Sequence, residues 1–117
     1  MYSVRRMLCR VKQTDLAWAA GLFEGEGSVI VYERQSRLEL TSTDMDVLLR
    51  FQSVLGGKVT EGKSRAPHLK PLGKWWVSNW TDVRRCAELL LPWMCQRRRA
   101  RLEELLEQPR RSWLRKT

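Results

Sequence analysis

Apolar positions change their period along this chain, and each change marks an element. Leu16, Ala17, Ala19, Ala20, Leu22 and Phe23 form a dense apolar and small-residue run. It predicts a helix over 15–24, capped by Thr14, with Asp15 suited to the positive end of the helix dipole. Gly25 and Gly27 are expected to end it. Val29, Ile30, Val31 and Tyr32 then read as a strand over 28–34. After a polar turn at 35–36, residues 37–41 alternate strictly, with Leu38 and Leu40 on one side and Arg37, Glu39 and Thr41 on the other.

The rest of the chain repeats this outline. Thr43 and Asp46 form a capping-box-like start to a helix over 46–55, which carries Val47, Leu48, Phe51, Val54 and Leu55 at helical spacing. Gly56 and Gly57 stop it. Residues 58–63 and 74–79 predict two further strands, separated by a loop holding Pro67 and Pro71. In the second of them the pleat turns Trp75 inward and Trp76 outward. Thr81 caps a helix to 91 with Val83, Ala87, Leu90 and Leu91 on one face, and Pro92 restarts the chain into a last helix over 93–107, ended by Pro109. This order predicts an α+β fold around a four-stranded antiparallel sheet. One domain is expected over 14–108, between a basic arm at 1–13 and a basic tail at 109–117.

Charge adds a partner to that outline. The 117 residues suffice for one modest core, and 43% of them are hydrophobic, so the chain is expected to fold. Lys and Arg total 22 against 13 acids, a formal net charge of +9 and a pI near 10.2. The surplus favours a polyanion, nucleic acid before an anionic membrane surface. The basic residues are spread over several elements rather than held on one helix, which argues against a membrane-surface helix. No apolar run reaches the length of a membrane span. Cys9, Cys86 and Cys95 lack the paired spacing of a zinc site and read as reduced thiols of an intracellular protein. The expected setting is the cytoplasm of a prokaryotic or phage host, with an organellar address left open. His68 is the single histidine, so histidine-based catalysis has almost no material.

The candidate chemistry lies in Trp-Ala-Ala-Gly-Leu-Phe-Glu-Gly-Glu-Gly-Ser from Trp18 to Ser28. Ala17, Gly21 and Gly25 recur every four residues, with Ala20 assigned to the same side. Such a stripe lets another backbone approach closely, either the same helix of a second copy or the chain's own sheet. Glu24 and Glu26 follow at the negative end of the helix, where cations are favoured. Mg²⁺ needs one or two carboxylates, a carbonyl such as that of Gly25, and waters. The alternative is that both acids simply mark a helix stop.

Ala19-Ala20-Gly21-Leu22-Phe23-Glu24-Gly25-Glu26-Gly27 resembles the signature nonapeptide of the LAGLIDADG homing endonucleases. Leu40-Thr41-Ser42-Thr43-Asp44 with the following helix and Gly56-Gly57 is similar to that family's middle segment. Leu91-Pro92-Trp93 followed by Gln96-Arg97-Arg98 resembles its late proline and basic-helix segment. The resemblance implies an αββαββα fold, and a single signature copy implies a homodimer with Ala17, Ala20, Gly21 and Glu24 at the interface. It implies that Glu26 binds a catalytic Mg²⁺, or another divalent cation such as Mn²⁺, with help from the Gly25 carbonyl. Asp44 and Arg97 would complete the catalytic set. Two departures stand out: Glu26 replaces the more usual aspartate, and Arg97 the usual lysine, which keeps the charge but surrenders a proton poorly.

A curved ribbon of this kind suits the major groove of duplex DNA. The exposed strand positions Ser28, Ile30, Tyr32, Arg34, Arg37, Glu39 and Thr41 are the expected readers of the first hairpin. Lys58, Thr60, Lys74 and Trp76 are those of the second, with Arg98 as a further contact. Arg34 and Arg37 suit guanine, and Glu39 either accepts from cytosine or orients an arginine. Lys63, Arg65 and Lys70 suit phosphates. The expected activity is site-specific hydrolysis of duplex DNA. The alternatives are a DNA-binding protein without cleavage, or an RNA-binding intron maturase on the same scaffold.

Overall fold

The computed structural model describes residues 11–33, 35–63 and 66–109. Its elements are α1 (Gln13–Glu26), β1 (Gly27–Ile30), β2 (Arg37–Ser42), α2 (Met45–Leu55), β3 (Lys58–Thr60), β4 (Gly73–Val77) and α3 (Trp80–Leu90). A 3-10 turn (Leu91–Trp93) and α4 (Gln96–Leu106) follow. The strands form one antiparallel sheet in the order β1-β2-β4-β3. The α+β architecture matches the one expected. The basic arm before residue 11, the tail beyond 109, Cys9 and Arg34 lie outside the described residues.

Alternation along the central strands decides which side of the sheet is covered. Leu38 and Leu40 of β2 and Trp75 and Val77 of β4 are buried, and the helices lie over them. The aromatic centre is tight. Phe51 meets Trp75 edge-on with ring centroids 4.6 Å apart, and Phe23 stacks on Phe51 at 6.4 Å. Trp75 is the inward tryptophan, and its buried indole needs an acceptor. It finds one in the carbonyl of Gly56, to which Nε1 donates at 2.6 Å.

Gly56 caps α2 as expected, and that bond gives the glycine pair a second role. Gly56 and Gly57 have φ of 72° and 94°, a region that costs other residues energy. A Cβ on Gly57 would also lie 2.7 Å from Trp75 Nε1. The turn has to be glycine to bring the Gly56 carbonyl over the indole.

Several boundaries differ from the pattern-based expectation. α1 starts at Gln13 with Lys12 as its N-cap residue, not Thr14, and it continues through Gly25 to Glu26. α2 starts at Met45 behind Asp44 instead of behind Thr43. α3 is capped by Asn79, whose side chain accepts from the Asp82 N–H at 2.9 Å. Pro92 sits in a 3-10 turn, so the last helix begins at Gln96 and not at 93. β1 stops at Ile30, and the described residues before β2 have their own polar anchor. Ser36 is fully buried there, accepts from the Tyr32 N–H at 3.1 Å, and donates to Gln108 Oε1 at 2.6 Å. Gln108 in turn donates to the Tyr32 carbonyl. The chain just past α4 therefore holds the hairpin loop, a long-range link that no local pattern predicts.

Cys86 lies in the core, and burial pushes its thiol up from 9.0 to about 12. Between those values the unfolded chain loses this proton and the folded chain keeps it, so stability falls as pH rises from 9 towards 12. Urea midpoints measured across that range should decline more steeply for the native chain than for Cys86→Ala. Gly57→Ala should lose about 1–3 kcal/mol in the same urea assay at neutral pH, from strained φ and contact with Trp75.

Candidate active groove and nucleic-acid face

Glu26 owes its position to the residue after it. Gly27 is extended, and its N–H donates to the Phe23 carbonyl. A Cβ at Gly27 would run into the Phe23 ring, so only glycine lets the chain pass straight from α1 into β1 over that buried phenyl. Glu26 stands exposed at the junction. It lines a groove of about 430 Å³ together with Leu22, Leu40, Thr41, Ser42, Thr43, Asp44, Val47 and Leu72. Asp44 occupies the cap position of α2, yet its side chain makes no capping bond. Its N–H donates to Ser42 Oγ at 3.0 Å, and its carboxylate lies 3.8 Å from Lys70 Nζ. Two of the sequence-derived catalytic residues thus share one groove, and the largely exposed Lys70 lies beside Asp44.

Other expected residues fall elsewhere. Glu24 is half-buried and already has partners within the chain. Its Oε1 accepts from the Cys95 N–H at 2.6 Å, which satisfies a donor at the start of α4. Arg98 Nε donates to the Glu24 carbonyl at 2.8 Å, and the guanidinium lies 5.7 Å from the centre of the Phe23 ring. Arg98 is therefore a strut between α4 and α1, not a residue extended towards DNA. Arg97 is exposed in the first turn of α4 and is not among the groove's lining residues. Ala20 is buried in the chain's own core, because i+3 from Ala17 turns it towards the sheet. Ala17 is half-buried, and Gly21 and Gly25 are exposed. A Cβ built on either glycine meets nothing within 4 Å, so that narrower stripe is open.

Among the described residues no three His, Cys, Asp or Glu side chains cluster as a metal site. The groove offers Glu26 and Asp44, hard oxygen donors of the kind Mg²⁺ takes, but only two per chain.

The open side of the sheet has an ordered arrangement. Ser28 stands opposite Glu39, and Ile30 opposite Arg37. Glu39 stands opposite Trp76, and Thr41 opposite Lys74. Lys58 and Thr60 complete the row against Trp76 and Lys74. These are the strand positions expected to read DNA, and they share one face. Glu39 Oε2 lies 2.9 Å from Arg37 Nε and 3.8 Å from Lys74 Nζ. Tyr32 is in the loop instead of a strand, is 52% exposed, and lies under the Arg37 guanidinium at 5.8 Å.

Residues 13–59 match the family model described as a LAGLIDADG-like domain. The match runs from α1 into β3. The chain's sheet and helices reproduce the fold of solved homing endonucleases. The homing endonuclease I-CvuI, in complex with a DNA target in the presence of Mg, is 25% identical. The match covers 81% of this chain and 65% of that one at a TM-score of 0.65. A second I-CvuI complex, with its own target and Ca, is 23% identical at a TM-score of 0.64. The archaeal intron-encoded I-Vdi141I, complexed with DNA, is 21% identical at 0.60 over 76% of this chain and 63% of that one. The chain thus matches just under two thirds of the length of these proteins. No curated protein sequence matches it significantly. No helix among the described residues is long and apolar enough to cross a membrane.

α1 is tied to α4 by Glu24, and this tie has a measurable strength. Glu24→Ala should lower stability by about 1 kcal/mol in a urea titration, by uncapping α4. Glu24→Gln, which keeps an acceptor, should lose less.

Proposed function

We propose that this protein is a site-specific endonuclease for double-stranded DNA, acting as a homodimer with a divalent cation. The observation that carries the reading is the shared groove of Glu26 and Asp44, beside a sheet face bearing Arg37, Lys58 and Lys74. The similar folds described above were seen on DNA, which supports the substrate class.

The arrangement suggests a division of labour. The sheet face enters the major groove and presents alternate side chains to base edges. Lysines and arginines around it neutralise phosphates, which makes binding steeply salt-dependent. The half-buried Ala17 and the exposed Gly21 and Gly25 let two copies of α1 meet backbone to backbone. That contact brings two Glu26 carboxylates together and completes a ligand set that one chain lacks. Glu26, with the Gly25 carbonyl, would hold Mg²⁺ or Mn²⁺ there. Such an ion, when bound, supplies a Lewis acid to the phosphate and a nucleophile at neutral pH. Asp44 orients water in the groove, and Lys70 beside it is available to the phosphate's developing charge.

Glu26→Gln is the decisive variant. Purified protein is incubated with Mg²⁺ and a randomised duplex library, and cut ends are sequenced. The native chain should cut a defined sequence. Glu26→Gln should bind that sequence within a few-fold of native affinity and cut it at least 100-fold more slowly, the scale of losing one electrostatic stabiliser. Equal cutting by both proteins would end the metal-site reading. Tight binding with no cutting by the native chain would make it a DNA-binding protein, and preference for structured intron RNA would make it a maturase. Sedimentation should give twice the chain mass of 13.8 kDa.

A further inference from the structure

Arg37, Glu39 and Lys74 lie on the open side of the sheet, but they are not equivalent. Arg37 and Glu39 are two residues apart on β2, so their side chains leave the same face. Lys74 comes from the neighbouring strand, one pair further along. Glu39 sits between these two cations and is the least accessible of the three, with 14% of its side chain exposed against 38% for Arg37 and 44% for Lys74. Its strand neighbours across the sheet are Ser28 and Trp76, neither of which carries charge.

The atoms in contact matter more than the pairing. Glu39 Oε2 approaches Arg37 through Nε, at 2.9 Å. Nε is the inner nitrogen of the guanidinium. A carboxylate there leaves the outer edge, with both Nη groups, for another partner. That outer edge has the spacing of the O6 and N7 acceptors of guanine in the major groove. Neither Arg37 Nε nor Glu39 Oε2 completes a hydrogen bond among the described residues, although both atoms are buried. The pair is close but unaligned, and a base edge that sets the guanidinium plane would align it. The Tyr32 ring beneath the guanidinium limits its travel on the other side. A largely buried carboxylate with a cation on each side is poorly placed to reach a base itself.

We propose that Arg37 reads a guanine in each half of the DNA target, and that Glu39 is a positioning residue that holds Arg37 by its inner nitrogen. Glu39 does not read cytosine. The inference rests on the DNA-reading role argued above, but not on cleavage. It carries a consequence that a direct reader would not: removing the charge of Glu39 raises general attraction to DNA while lowering discrimination. Glu39→Gln takes one negative charge off a face that meets phosphates.

The test is a binding selection from a randomised duplex pool, read by sequencing the bound fraction. All proteins carry Glu26→Gln, so that cutting does not distort the pool. The parent should enrich a guanine at one position per half-site. Arg37→Lys keeps the charge but loses the planar fork, and it should lose that guanine preference by about tenfold or more with little change in affinity for unselected duplex. Glu39→Gln should weaken preference at the same position and bind unselected duplex more tightly than the parent. Thermal melts of each variant show whether it is folded, and Glu39→Gln is close to isosteric.

Guanine preference retained in Arg37→Lys would remove Arg37 as the reader. A shift at a cytosine position in Glu39→Gln, with the guanine intact, would make Glu39 a reader and overturn the proposal. No sequence preference in the parent would overturn it along with site-specific DNA recognition, and that failure is visible before any reader variant is made.

Discussion

The Phe23 ring lies so close to Gly27 that no side chain fits there, and the ring itself is wholly buried against Phe51. Because of this contact the chain turns from α1 into β1 without a connecting loop. A loop would let the end of the helix drift. The close passage instead locks the helix end to the first strand, which is paired to β2 and through β2 to β4. Glu26 sits between the helix and the strand, so its backbone position is inherited from the core. The groove it shares with Asp44 exists because β2 hands the chain to α2 beside that junction.

Helical geometry separates two acids that look like a pair. Residues two apart on a helix point about 200° away from each other. Glu24 therefore turns inward to the start of α4, and Glu26 turns outward to the groove. One acid satisfies an N–H at a helix start and holds Arg98; the other stays exposed and free to bind. The same rotation separates Ala20, which enters the core, from Gly21 and Gly25, which remain bare. A stretch of a few residues thus serves the core, a link between helices, a bare surface and a candidate metal ligand, according to the angle at which each residue leaves the helix.

On the sheet, mixed charge gives structure to what net charge alone would leave diffuse. A surplus of nine positive charges accounts for attraction to a polyanion, but not for choice among sequences. Glu39 costs some of that attraction. It also gives Arg37 and Lys74 a common fixed point, and specificity depends on such fixed points because base contacts need defined side-chain directions.

Periodicity alone determined the number and order of strands and helices, the inward side of the sheet and the burial of Trp75, because those depend on residues a few positions apart. The family resemblance drew Glu26 from the nonapeptide and Asp44 from the separate segment Leu40-Thr41-Ser42-Thr43-Asp44, each a short local signature. Helix starts were less legible, since Lys12 and Asp44 occupy cap positions without making side-chain caps. Long-range partners were not legible at all. That Glu24 and Arg98 bind each other, that Gln108 holds the loop at Ser36, and that Lys70 meets Asp44 depend on segments far apart in sequence. Hydrogen bonds and ion pairs act over a few ångströms, so only the folded chain, by bringing those segments to that range, could choose among the many polar side chains available.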